Sequence, residues 1–121
     1  MNFRFPKTEK LKSAKTIERL FSEGKSITKF PLKLMFLQQD LEKPTQATFA
    51  VSKRNFKLAV DRNRVKRQLR EAYRLHKPLI FTNNGKKFAL LFLYFSKDKP
   101  KYAELEKATI ILLKKLRDET T

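Results

Sequence analysis

No cysteine occurs in the 121 residues, which excludes disulfides, thiol nucleophiles and Cys-ligated zinc. A single histidine, His76, rules out His-pair metal sites and leaves any Ser–His triad dependent on one side chain. Glycine is almost as scarce. Gly24 and Gly85 stand alone, so no Gly-rich loop can cradle a phosphate as in P-loop or dinucleotide-binding enzymes. The longest uncharged apolar run, Phe88 to Phe95, is far short of the roughly 20 residues that cross a bilayer. The opening Met1-Asn-Phe-Arg-Phe-Pro lacks the apolar stretch of a signal peptide, which predicts a cytoplasmic protein without a membrane partner. Acids are also few, 12 Asp and Glu against 29 Lys and Arg, and form no paired-carboxylate cluster for a two-metal nuclease site.

What remains is a surplus of positive charge on a chain that can still fold. The formal charge is +17, yet 40% of residues are hydrophobic and eleven are Phe, far above the content of a disordered polycation. The length suits one domain spanning 1–121, and the charge calls for a polyanionic partner.

Residues 1–12 carry two Phe, one Pro and four Lys or Arg without periodicity, which predicts a basic extended arm that orders on binding. Ser13 is an N-cap candidate for a short helix presenting Ile17, Leu20 and Phe21, with Gly24 at its end. Thr28 to Gln39 alternates Phe30, Leu32, Leu34 and Phe36 with Lys29, Lys33 and Met35, and Gln46 to Ser52 alternates again. Asp40 and Pro44 bracket a turn between them, which predicts an antiparallel pair. On a helix over Lys57–Lys77, Val65, Leu69, Ala72, Tyr73 and His76 share one sector, and Asn63, Lys66, Arg67, Arg70 and Arg74 form an adjacent stripe. Pro78 should stop this helix and Asn83-Asn-Gly-Lys should turn the chain into a buried strand at Phe88–Phe95. A last helix capped by Asp98 or Lys99 would follow, with Pro100 in its first turn. With the first β region broken near Pro31, the order is αβββαβα, an α+β single domain.

Arg62-Asn63-Arg64, then Val65-Lys66-Arg67 and Arg70-Glu71, resembles the motif helix of the bacterial ribonuclease P protein family. Phe49-Ala-Val-Ser-Lys-Arg upstream is similar to that family's Val-Ser-Lys strand, and Lys10-Leu11 with Leu20-Phe21-Ser-Glu-Gly24 is similar to its opening. Two departures stand out. Asn55-Phe56-Lys57-Leu58 holds no glycine where the family usually has one, and Ile17 replaces a common aromatic. The resemblance implies a two-layer sandwich of the ribosomal protein S5 domain 2-like kind, with a left-handed βαβ crossover. It implies a ribonucleoprotein endonuclease that removes the 5′ leader of precursor tRNA. The ribonuclease P RNA would hold the catalytic Mg2+, and the protein would bind no cofactor of its own. Arg62, Asn63, Arg64, Lys66, Arg67, Arg70 and Arg74 would then contact the catalytic RNA. Phe21, Lys33, Phe36, Lys53 and Arg54 would line the leader channel, where basic groups and aromatic platforms suit a single strand. The competing readings are a ribosomal or other structural RNA-binding protein, and a helix-turn-helix DNA binder, which the β-rich remainder disfavours.

Overall fold

The computed structural model describes residues 5–39, 42, 44–81 and 86–120. Ser13 caps α1 (Ala14–Glu23) as the sequence implies, its hydroxyl accepting from the Thr16 amide at 3.3 Å. Gly24 closes α1 by donating its N–H to the Arg19 and Leu20 carbonyls. A Cβ there would lie 2.4 Å from the Leu20 carbonyl oxygen, so close approach requires glycine. β1 (Lys25–Lys29) and β2 (Leu32–Gln39) form a hairpin through a cis Phe30–Pro31 peptide, which confirms the break near Pro31. β3 (Gln46–Val51), α2 (Ala59–His76), the single-turn α3 (Pro78–Phe81), β4 (Lys87–Tyr94) and α4 (Tyr102–Thr120) complete the chain.

The expected β2–β3 pairing does not form. The sheet order is β1-β2-β4-β3, with β4 antiparallel to β2 and parallel to β3. β4 is apolar along nearly its whole length and buried on both faces, so the central slot, flanked by two strands and covered on both sides, suits it best. Asp40, the Asn83–Gly85 turn and the start of the arm lie outside the described residues. Pro78 ends the long helix as expected, but the turn α3 that follows it and the start of α4 differ from expectation. Pro78 also opens α3, because proline is compatible with a first helical turn. α4 begins at Tyr102 rather than beside Asp98, whose amide donates to Ser96 Oγ at 3.2 Å and whose carbonyl accepts from the Tyr94 hydroxyl. The Lys101 carbonyl takes the first amides of α4 instead.

Each sheet face has its own core. Leu32, Leu34, Phe36, Phe49, Phe88, Leu90, Phe92 and Tyr94 pack beneath α2 and α4, joining Val65, Leu69, Tyr73, Leu105 and Leu112. On the opposite face α1 seats Ile17 and Leu20 on Met35, Ala89 and Leu91, with Leu11 alongside. Full burial of such side chains is worth about 1.5–3 kcal/mol each.

Residues 5–12 are not a free arm. Phe5 meets Tyr73 and Phe49 edge-on at 5.6 and 6.1 Å, residues 7–9 form a 3-10 turn, and the Leu11 amide donates to the Ala47 carbonyl at 2.9 Å. Lys77, 1% exposed, places its Nζ 2.7 Å from Glu9 Oε1. Burying that cation without its partner would be costly, so the pair fixes the arm's position.

Candidate nucleic-acid interface

α2 turns Val65, Leu69, Ala72 and Tyr73 inward, and this places its basic side chains on the molecular surface. Asn63, Arg67 and Arg70 are exposed and Lys66 and Arg74 half-exposed, which is the stripe that the periodicity predicts, and Arg64, outside that stripe, is exposed as well. Among the described residues Arg64, Lys66, Arg67 and Arg70 have no carboxylate within salt-bridge distance. Four neighbouring cations without an intramolecular counter-ion make an unfavourable field that an external anion relieves.

Arg62 and Arg74 are engaged differently. Arg62 Nη1 donates to the Phe56 and Lys57 carbonyls at 2.7 and 2.9 Å. This arginine, with Phe56 buried against Tyr94 and Asn55 Nδ2 donating to the Phe95 carbonyl, holds the loop that lacks the family's usual glycine. Arg74 forms a two-pronged pair with Glu71 at 2.5 and 3.1 Å, and those hydrogen bonds hold the Glu71 carboxyl below its ordinary range despite the smaller opposing effect of burial. Arg74 is itself held more firmly protonated. His76, placed by periodicity on the apolar sector, is partly exposed and bridges to Glu106 of α4 at 3.0 Å. It therefore joins two helices rather than packing within the core.

The α1 side of the sheet offers a second surface. Ten-residue α1 is too short to cover it, and Lys33, Leu93 and Ala50, aligned across β2, β4 and β3, remain half-exposed. Lys33 stands two residues before Met35 on β2, which places it on this face. Phe21 is 63% exposed on α1, and Lys53 and Arg54 are exposed just beyond the end of β3. Phe36 does not belong to this set. It points to the opposite face, is 5% exposed and meets Phe88 edge-on at 6.3 Å, so its ring is closed to a base. Strand alternation alone separates it from Lys33.

A family model of ribonuclease P matches residues 5–117. The chain belongs to the ribonuclease P family. A ribonuclease P protein component of Porphyromonas gingivalis is 32% identical over 111 residues, covering 88% of this chain and 81% of that protein. One from Chlorobium phaeobacteroides is 42% identical over 81 residues, covering 63% and 56% of the respective chains. Among solved structures, the RNase P protein of Staphylococcus aureus superposes with a TM-score of 0.74 at 20% identity, covering 90% of this chain and 95% of that one. The protein from Thermotoga maritima gives 0.72 at 23% identity, covering 88% and 96%. These structures share the mixed α+β fold with its four-stranded sheet. As a family member the chain is the protein part of a ribonucleoprotein endoribonuclease that processes tRNA and has an RNA partner. No helix among the described residues is long and apolar enough to cross a membrane.

Sequence reasoning missed part of the basic surface. Lys10 and Lys12, read as arm residues, share a cleft with Lys66 and Arg70 of α2. The available signal was Phe5, an aromatic whose burial requires the arm to fold back on the core.

Proposed function

We propose that α2 docks the protein onto the ribonuclease P RNA and that the half-covered α1 face of the sheet receives the 5′ leader of precursor tRNA. The observation that carries the reading is the set of four unpaired α2 cations, Arg64, Lys66, Arg67 and Arg70, in a chain of net charge +17. Guanidinium forks and an ammonium suit a folded phosphate backbone, and Asn63 adds a donor and an acceptor for a base edge or 2′-hydroxyl. On the other face, Phe21 offers a ring for stacking, while Lys33, Lys53 and Arg54 supply a basic track tolerant of leader sequence.

In this reading Mg2+ is held by the RNA. The protein contributes binding and charge neutralisation, and among the described residues no group of three His, Asp or Glu could hold a metal. An RNA substrate of this kind places its action in the cytoplasm. Reconstitution tests the division of labour: Arg64→Ala with Arg67→Ala should weaken binding to the RNA, whereas Phe21→Ala or Lys53→Ala should weaken binding of precursor tRNA but not of mature tRNA. Equal losses for both tRNAs in the second pair would refute the leader assignment.

A further inference from the structure

The stripe on α2 is not a flat face. The docked arm rises beside it, and between them lies a cleft of about 240 Å3 with Lys10 and Lys12 on one wall and Lys66 and Arg70 on the other. Leu11, Ala47 and Phe49 also line it, and no carboxylate does. None of the four cations has a salt-bridge partner among the described residues, and Lys10 Nζ rests 5.7 Å from the Phe5 ring centre. Four like charges around one small space repel one another, and a single anionic group between the walls would offset all of these repulsions together.

We propose that this cleft seats one nucleotide of the ribonuclease P RNA. Its phosphate is gripped from both sides by the four cations, and its ribose or base lies against the half-buried Phe49 ring. The inference rests on α2 being the RNA-docking helix and adds the arm to that interface. The arm wall is in place before RNA arrives, because Glu9 is tied to buried Lys77, Gln46 Nε2 donates to the Thr8 carbonyl at 3.0 Å, and Leu11 is hydrogen-bonded to Ala47. A wall already ordered adds little entropic cost on binding. Lys10 and Lys12 are the contacting residues here, and Glu9 and Lys77 are positioning residues.

The experiment measures affinity of the full-length protein for the ribonuclease P RNA as a function of salt, for Lys10→Ala/Lys12→Ala and for a control, Lys29→Ala/Lys107→Ala. The control removes the same charge from the groove between the β1–β2 turn and α4. The arm variant should lose affinity and flatten the salt dependence by about 0.7–0.9 in slope for each phosphate it no longer neutralises. Lys10→Arg/Lys12→Arg should restore most of the binding, and the control should leave the slope near that of the unaltered protein. An arm variant that matches the control overturns the proposal. Arg67→Ala run in parallel keeps the readings apart: if it weakens binding while the arm variant does not, α2 docks RNA and the cleft does not.

Discussion

Two phenylalanines that look alike in sequence should behave oppositely when truncated. Phe36 is 5% exposed beneath α2 and α4, and Phe21 is 63% exposed on α1. Removing a buried Phe ring typically costs about 3–5 kcal/mol, and a chain of this length loses about 3–6 °C of thermal midpoint per kcal/mol. Phe36→Ala should therefore lower the midpoint by roughly 10–25 °C. Truncating an exposed ring costs about 0.5 kcal/mol or less, so Phe21→Ala should stay within about 3 °C of the parent. Its effect belongs in binding. If a leader base stacks on the ring, about 1–3 kcal/mol is lost, a roughly 5- to 150-fold rise in Kd for precursor tRNA with mature tRNA unchanged. Calorimetric melting and paired tRNA titrations with the reconstituted holoenzyme give both numbers. A Phe21→Ala protein that melts 10 °C lower without selective loss, or a Phe36→Ala protein that melts normally, would refute the placement of the two rings.

Arg64→Ala and Arg67→Ala should each weaken binding to the ribonuclease P RNA and reduce the salt slope by about 0.7–0.9, measured by titration across salt concentrations. Lys77→Met should destabilise the fold by about 3–5 kcal/mol in urea by leaving Glu9 unpaired, and pairing it with Glu9→Leu should recover much of that loss. Glu71→Gln removes a negative charge from beside the stripe, so RNA affinity at low salt should rise by about two- to fivefold. Since the Glu71 pKa is lowered in the fold, the stabilisation from its pair with Arg74 is present above the ordinary carboxylate pKa and is lost as pH falls through the folded value; an acid titration of Glu71→Gln should lack that component.

The features readable in the sequence are those with local causes. Ser13 and Gly24 bracket α1 through side-chain and backbone chemistry within a few residues, and the 3.6-residue spacing of Val65, Leu69, Ala72 and Tyr73 specifies which side of α2 faces in and where the basic stripe lies. The misread features depend on contacts between distant segments. Nothing near Pro44 says that β4 will enter between β2 and β3, because β3–β4 is a parallel pair joined through α2. Phe5 and Lys77 look like an arm residue and a helix end until Tyr73 and Glu9 meet them. Phe36 is a different case, since its alternation with Lys33 already places the two on opposite faces. Its aromatic chemistry suggests stacking, but burial decides the matter.

If this protein works through its α2 face as the partner of a catalytic RNA, its contribution should appear in cleavage of precursor tRNA at low magnesium by three mixtures. These are protein rigorously freed of RNA, protein with the ribonuclease P RNA, and that RNA with an Arg64→Ala/Arg67→Ala/Arg70→Ala variant. Protein alone should cut nothing, the complete mixture should cut at the leader junction, and the variant should restore little of that activity although its melting midpoint is unchanged. Site-specific cleavage by the RNA-free protein, or full restoration by the variant, would show that the α2 face does not act in this way.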